Sequence, residues 1–226
     1  MKRFWDQVSV VDGGIRLDGR PVKTPGRLPL VLPTAALAER VADEWRAVEG
    51  EIDPQAMPAT GLANAAIERI APDPRAFTAG LAKYGETDLL CYRADAPAPL
   101  VERHAALWDP PLDWARRRYD VRIDTTAGIV HRPQPPATIA RLGEAIGAKD
   151  AWTLAALSPV VTITGSLVLG LALAEGAMTP DAIWTAARVD EDWQAEQWGE
   201  DALAAATTAA HRRDFDAAVR FLAALG

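Results

Sequence analysis

The first part of the chain alternates apolar and polar residues over short distances. Val8-Ser9-Val10 alternates at the period of a β-strand, and the alternation resumes at Ile15 and Leu17 after the turn residues Asp12-Gly13-Gly14. Asp18-Gly19 supplies a second turn, and short proline-containing extended pieces follow. The pattern over residues 6–32 therefore predicts a small set of antiparallel strands.

Apolar positions beyond residue 33 recur mainly at helical spacing. Thr34 occupies an N-cap position before Leu37, Val41 and Trp45. Later helices are predicted over Thr60–Ile70, Pro74–Tyr84, Leu100–Tyr119 with a break at Pro110-Pro111, and most of Pro136–Gly226, with a stop at Gly176 and a new start at Thr179-Pro180. Two extended pieces, Leu89–Tyr92 and Val121–Val130, interrupt this pattern.

These elements predict an α+β fold in two domains. Residues 1–55 form a small β-rich domain with one helix, and residues 56–226 form a larger, mainly helical domain. The join is expected in the proline-containing stretch from Gly50 to Pro58, where both patterns are interrupted.

Composition narrows the class of protein. The 226 residues carry 24 Lys and Arg against 31 Asp and Glu, a formal charge of −7, which argues against a nucleic-acid partner. A single cysteine, Cys91, excludes an intramolecular disulfide framework and a multi-thiolate zinc site. The uncharged run Ala155–Ala174 contains Pro159 and Gly165 and lacks flanking basic clusters, so it predicts a buried helix rather than a membrane span.

The chain shows no recognised catalytic motif. P-loop, dinucleotide-binding and nucleophile-elbow spacings are missing, and the three histidines are dispersed, so we expect no metal, no cofactor and no small-molecule substrate. Ser166 is interpreted as a small packing residue in the apolar run. Cys91 is interpreted as a buried, unreactive thiol, and a cysteine-dependent enzyme using Cys91 and His104 is the alternative.

The segment Asp181–Asp201 combines seven acidic residues with one basic residue, Arg188. On a single helical wheel, Trp193 falls on an apolar face, whereas Trp184 and Trp198 fall on the opposite side. Neighbouring helices could bury both faces. Alternatively, the indoles anchor a protein partner and the acids select it, as in many interfaces.

The acids of this segment include a stripe at a four-residue spacing, Asp192, Glu196 and Glu200.

Several segments together resemble a known family, the F-type ATP synthase assembly chaperones that act on the alpha subunit (the ATP synthase mitochondrial assembly factor 2 family). The matching segments, which extend from residue 2 to about residue 222, are Lys2-Arg3-Phe4-Trp5, Leu17-Asp18-Gly19-Arg20-Pro21-Val22-Lys23-Thr24-Pro25, Leu32-Pro33-Thr34, Glu44-Trp45, Met57-Pro58, Leu62-Ala63-Asn64, Tyr84, Thr87-Asp88-Leu89-Leu90-Cys91-Tyr92-Arg93-Ala94, Trp108-Asp109-Pro110, Leu112-Asp113-Trp114, Gly165-Ser166-Leu167-Val168-Leu169, Asp190-Glu191-Asp192-Trp193-Gln194-Ala195-Glu196, Trp198-Gly199-Glu200-Asp201 and Arg212-Arg213.

The resemblance implies a chaperone without enzymatic activity. Such a protein binds the unassembled alpha subunit, shields the surface that later packs against the beta subunit, and is displaced when the hexamer forms. The resemblance places its sensitive acidic position in the C-terminal acidic segment, with Glu191, Glu196 and Glu200 as candidates and Glu200 preferred from its Trp-Gly-Glu context. Together with Trp184, Arg188 and Trp198 from the helical wheel, these are the expected partner-binding residues.

The N-terminus shows no signal or transit pattern, so we expect a soluble bacterial member in the cytoplasm, whose eukaryotic relatives would be in the mitochondrial matrix. An adaptor for an unrelated protein partner is the alternative.

Overall fold

The computed structural model describes residues 2–128, 130–199 and 201–226. Its strands are β1 (Val8–Val11), β2 (Gly14–Leu17), β3 (Arg20–Pro21), β4 (Tyr92–Arg93) and β5 (Thr126–Ala127). Its α-helices are α1 (Ala35–Arg46), α2 (Pro58–Ala65), α3 (Pro74–Ala82), α4 (Ala98–Tyr119), α5 (Pro136–Gly147), α6 (Ala151–Thr164), α7 (Leu167–Ala174), α8 (Pro180–Ala187), α9 (Val189–Trp198) and α10 (Ala202–Ala223). Short 3₁₀ turns cover Pro54–Ala56, Lys83–Gly85 and Leu89–Cys91, and α2 continues as a π-helical turn over Ala66–Ile70. The α+β class is confirmed.

The chain divides into two compact units. The first unit comprises residues 1–74, 150–156 and 214–226, and the second comprises residues 75–149 and 157–213. The β-rich domain expected at residues 1–55 and the helical domain expected at residues 56–226 remain a prediction.

The first unit contains an antiparallel sheet in the order β1-β2-β3. In the β1–β2 hairpin Val11 pairs with Gly14, which leaves Asp12 and Gly13 as a two-residue loop with φ of 51° and 73°. Both values lie in the left-handed region that such loops require. A Cβ at Gly13 would also lie 2.8 Å from the Leu32 carbonyl oxygen, so this turn requires glycine for two reasons.

Helices α1 and α2 of the first unit are fixed by polar caps. The Thr34 hydroxyl accepts a hydrogen bond from the Leu37 amide at 3.1 Å, as the sequence predicts. The Glu44 carboxylate, near the end of α1, accepts from the amides of Ala59 and Thr60 at 2.7 and 2.8 Å and so caps the start of α2. The buried core of the unit includes Trp5, Ile15, Leu30, Leu37, Val41 and Phe221.

The second unit is built around buried helix α7. Every residue from Leu167 to Leu173 is buried, so the helix is apolar on all sides. The Ser166 hydroxyl caps α7 by accepting from the Leu169 amide at 3.0 Å, which gives this serine a more specific role than the predicted packing. Strands β4 and β5 form a short parallel pair in the same unit.

Three predicted elements differ in the structure. No break occurs at Pro110-Pro111, because α4 continues through both prolines and buries Trp108 and Leu112 on either side of them. Leu89–Cys91 forms a 3₁₀ turn rather than a strand, and among the described residues of Val121–Val130 the one strand is the two-residue β5. Tertiary packing outweighs local propensity in these segments.

The apolar run Ala155–Ala174 is two helices rather than one. Gly165 has a φ of 64° and separates α6 from α7. Across the described residues, no helix combines the length and the apolar character that a membrane span requires.

Candidate functional site

The acidic, tryptophan-containing segment consists of two consecutive helices. Thr179 caps α8 by accepting from the Ala182 amide at 3.3 Å, and α8 ends at Ala187, because φ of −115° and ψ of 15° at the C-cap Arg188 interrupt the helical path. Trp184 therefore lies on α8 and Trp198 on α9. The segment is therefore not the single helix that the helical wheel assumes, because the backbone at Arg188 interrupts the helical path between the two indoles.

Helix α4 holds α8 and the beginning of α9 through buried contacts. The Trp108 indole N–H donates to the Ala186 carbonyl oxygen at 2.7 Å. His104 stacks on Trp108 with ring centroids 3.9 Å apart, accepts from the Ala94 amide at Nδ1, and bonds Asp190 through Nε2 at 2.8 Å. Because Nδ1 is an acceptor, the imidazole proton is on Nε2 and is donated to Asp190.

Farther along α9, Glu196 is tied to α4. The Arg103 guanidinium donates to both carboxylate oxygens of Glu196, at 2.8 and 2.9 Å, and lies 5.1 Å from the centre of the Trp193 ring. The hydrogen bond from Arg103 holds the pKa of Glu196 below its ordinary value. This carboxylate and the half-buried Trp193 therefore bind α9 to α4.

Two arginines contact Trp184. The guanidinium of Arg212 lies 5.3 Å from the ring centre and that of Arg188 lies 5.7 Å from it. Arg212 also donates to Asp181 at 2.7 Å, and Arg188 donates to Asp192 at 3.2 Å. The acidic stripe expected from the sequence is thus partly neutralised within the chain, at Asp192 and Glu196.

An open groove remains on the other side of α9, which we call the α9 groove. Its volume is about 270 Å³, and its lining includes Arg188, Glu191, Gln194, Trp198, Asp201 and Thr208. Trp198 at the end of α9 is 78% exposed, and Leu203 near the start of α10 is 75% exposed. Because tryptophan is enriched at the hot spots of protein interfaces, the exposed Trp198 marks this groove as a candidate protein-binding surface.

The structure groups some of the predicted residues and separates others. Arg188, Glu191 and Trp198 line the α9 groove together, and Trp184 is linked to them through Arg188. Glu196 is bound by Arg103, and Glu200 lies outside the described residues. The roles of all six residues as partner contacts remain predictions.

Several residues of this region were not identified from the sequence, namely Arg103, Gln194, Leu203 and the pair of His104 with Asp190. Leu203 could have been found as a large apolar residue directly after the acidic segment. The other contacts join residues far apart in the chain and have no local signal. Arg103 and Glu196, for example, are 93 positions apart.

The geometry around Cys91 gives no support to a cysteine nucleophile. The thiol is buried, and burial raises the pKa of Cys91 to about 12. Both ring nitrogens of His104 are bonded elsewhere, to Ala94 and Asp190. In the part of the chain that the structure describes, no three His, Cys, Asp or Glu side chains are grouped to hold a metal ion.

Comparison with known proteins gives a consistent result. Residues 2–116, just over half of the chain, match the family model described as ATP12 chaperone protein. A curated relative, the mitochondrial protein atp12 of Schizosaccharomyces pombe, is 24% identical over 219 residues, which cover 89% of this chain and 75% of that protein.

Solved structures agree over the full length. The crystal structure of Atp12 from Paracoccus denitrificans superposes with a TM-score of 0.92 and 42% identity, covering 100% of this chain and 98% of that chain. A variant of the same Paracoccus protein, with an aspartate replaced by lysine, gives the same values. The Atu1473 protein from Agrobacterium tumefaciens superposes with a TM-score of 0.93, also at 42% identity, covering 100% of this chain and 86% of that chain.

Proposed function

The chain belongs to the ATP12 chaperone protein family, and from this premise we propose that it binds the unassembled alpha subunit of the F-type ATP synthase. It shields the beta-facing surface of that subunit until the hexamer assembles, and it acts by binding rather than by catalysis. We further propose that it does so in the bacterial cytoplasm.

The observation that carries this proposal is the exposed indole of Trp198 at the α9 groove. A tryptophan side chain loses a large apolar surface to water when it is covered, and interface hot spots are enriched in this residue. A chaperone that shields an apolar subunit surface needs such an anchor on its own surface.

The charged residues around Trp198 also suit a protein-binding surface. Arg188 is engaged by Asp192, whereas Glu191 is exposed at the groove. Glu191 and Asp201 therefore leave the groove with an acidic margin. Such a margin favours a partner surface with basic groups and sets the orientation of docking more than the affinity.

The test is titration calorimetry of this protein against the purified, monomeric alpha subunit of its own organism, with the beta subunit as control. We expect one-to-one binding to the alpha subunit alone. Trp198→Ala should weaken that binding at least tenfold, because the anchor of the groove is lost. Val130→Ala is the matched control, since Val130 is 75% exposed, close to the 78% of Trp198, but does not line the groove.

Equal affinity of Trp198→Ala and wild type would overturn the role of the α9 groove. No binding of the wild-type protein to the alpha subunit, with both proteins folded, would instead favour an adaptor for another partner. Glu200→Lys, which reverses the charge at the acidic residue preferred from the sequence, should also weaken binding to the alpha subunit.

A further inference from the structure

The sheet of the first unit has an open edge at β1. This strand is the outermost in the order β1-β2-β3, and all four of its residues are exposed or partly exposed. In an antiparallel pair, successive residues bond alternately toward the partner strand and away from it. The Asp18 amide donates to the Gln7 carbonyl oxygen at 3.0 Å, so residues 7, 9 and 11 bond toward β2. The N–H and C=O groups of Val8 and Val10 therefore point away from the sheet.

The sequence of β1 does not obstruct pairing with a further strand. Val8–Val11 contains neither a proline nor a charged residue, and its register with β2 runs through four pairs without a bulge. Natural proteins often protect an edge strand by one of these features, because its free N–H and C=O groups otherwise pair with another chain. An extended polypeptide beside β1 would bond the outward groups of Val8 and Val10.

The solvent-facing side of the same sheet carries exposed apolar side chains next to this edge. Residues directly opposite each other share a face. Val11 pairs with Gly14, and Gly14 bridges to Val31, so these three residues lie on one side of the sheet. Val11 is 41% exposed and Val31 is 48% exposed, whereas Ile15 on the other side is fully buried. The face therefore offers two valines that a partner can cover.

The same face is basic, although the whole chain has a formal charge of −7. Arg16, two residues after Gly14 in β2, lies on this side, and Lys23 beyond β3 is exposed. The Arg16 guanidinium donates to the Gly19 carbonyl oxygen at 3.4 Å rather than to a carboxylate. Residues 1–33 as a group carry six basic and three acidic side chains. This excess of positive charge favours a partner segment with carboxylates.

The acidic residues of the sheet lie in its loops. Asp12 is in the β1–β2 loop and Asp18 is in the β2–β3 loop. The Asp18 carboxylate accepts from the amides of Asp6 and Gln7 at 3.1 and 2.8 Å, so it is already engaged. The face between the loops thus keeps its positive charge.

Arg16 is within reach of a strand added to β1. It pairs with Ser9, a small residue that lies between Arg16 and the free edge. Because neighbouring strands are about 5 Å apart, a residue of the added strand beside Ser9 would be about 10 Å from the Arg16 backbone. An arginine and a glutamate or aspartate side chain together span that distance across Ser9.

We propose that the free edge of β1 binds an extended, acidic segment of a partner polypeptide as an additional strand. The backbone of the segment bonds Val8 and Val10, an apolar side chain covers Val11, and a carboxylate pairs with Arg16. A second copy of this chain fits the edge less well, because pairing of two β1 strands would bring two basic faces together. The inference rests on the proposed function, which makes the alpha subunit the source of the segment.

Amide hydrogen exchange tests the added strand without any substitution. When wild type is saturated with purified, monomeric alpha subunit, exchange of the Val8 and Val10 amides should slow at least tenfold, because each N–H gains an acceptor. The Ser9 amide, which already bonds toward β2, is the internal control and should change less. Unchanged exchange at Val8 and Val10 in the complex would overturn the proposal.

Arg16→Glu tests the charge of the segment. In calorimetry with the alpha subunit, we expect this variant to bind at least fivefold more weakly than wild type, because a carboxylate of the segment then faces another carboxylate. Arg132→Glu is the matched control, since Arg132 is exposed, lies outside the sheet and gives the same change in net charge. It should bind within twofold of wild type, and equal affinities of the two variants would contradict an acidic segment at β1.

The outcomes separate the two proposals. If wild type binds the alpha subunit but exchange at Val8 and Val10 does not slow, the β1 edge is not the binding site and the proposed function stands. If these amides become protected in concentrated solutions of this protein alone, the edge pairs with a second copy and the proposed occupant is wrong. If wild type does not bind the alpha subunit, the proposed function fails and this inference fails with it.

Discussion

Asp88 is a carboxylate enclosed by the second unit, and its bonds show why an acid is present there. Its Oδ1 accepts from the Leu90 amide at 3.2 Å and its Oδ2 from the Val168 amide at 3.0 Å, so it joins the 3₁₀ turn at Leu89–Cys91 to the start of α7. Burial raises the pKa of Asp88 to about 6, although these N–H donors act in the opposite direction.

The raised pKa of Asp88 predicts a pH-dependent stability. In the folded state the group binds its proton up to about pH 6, whereas in the unfolded chain it releases it near pH 3.8. Stability from this group is therefore complete below about pH 3.8 and is lost as pH rises through 6. Between pH 5 and 7.5 the free energy of unfolding should fall by about 1 kcal/mol on account of Asp88.

Urea unfolding of wild type and Asp88→Asn at several pH values measures this effect. The amide does not titrate, so the stability advantage of wild type over Asp88→Asn should shrink as pH rises. Glu102→Gln, at an exposed position on α4, should follow wild type. A constant difference between wild type and Asp88→Asn would show that Asp88 does not titrate in this range.

At the scale of elements, the break between α6 and α7 positions the most apolar helix of the chain. Gly165 adopts a left-handed conformation and Ser166, which is fully buried, caps α7. Without this cap the amide of Leu169 would be buried and unpaired, because no water reaches it.

Ser166→Ala should therefore lower the free energy of unfolding by about 1–2 kcal/mol, because the N-cap is lost and the buried Leu169 amide is left without an acceptor. Chemical denaturation monitored by circular dichroism measures it. Ser158→Ala, within α6, is the comparison, since alanine is at least as favourable as serine inside a helix. A cost at Ser158 equal to that at Ser166 would contradict the capping role.

At the scale of the whole molecule, the core of the first unit depends on the end of the chain. Phe221 on α10 is fully buried, belongs to the same hydrophobic cluster as Ile15 and Leu37, and stacks on Trp152 of α6. The Thr34 hydroxyl, which caps α1, also donates to the Ala224 carbonyl oxygen. A unit that begins with the N-terminal strands is thus completed by residues about 190 positions later.

Phe221→Ala should accordingly destabilise the protein by about 3–5 kcal/mol through the cavity it leaves. Leu203→Ala, on the same helix but 75% exposed, should change the unfolding free energy by less than about 0.5 kcal/mol. Thermal and urea unfolding of the two variants measure these changes in unfolding free energy. Similar losses for both would show that the N-terminal core does not need Phe221.

The sequence by itself determined the features that depend on neighbouring residues. The β1–β2 hairpin follows from Asp12-Gly13, the start of α1 from Thr34, and the start of α8 from Thr179-Pro180, because turn and cap chemistry acts within about four residues. The family, identified from many short motifs in order, is confirmed by the match of residues 2–116 and by the solved relatives.

Tertiary structure alone decided the features that depend on which surfaces meet. In the folded chain α4 continues through Pro110, and Trp184 and Trp198 lie on different helices. The Glu196 carboxylate is bound by Arg103 instead of being free. Helical periodicity shows that a residue lies on one face of a helix but not what covers that face. The exposure of Trp198 could therefore be identified only from the folded chain.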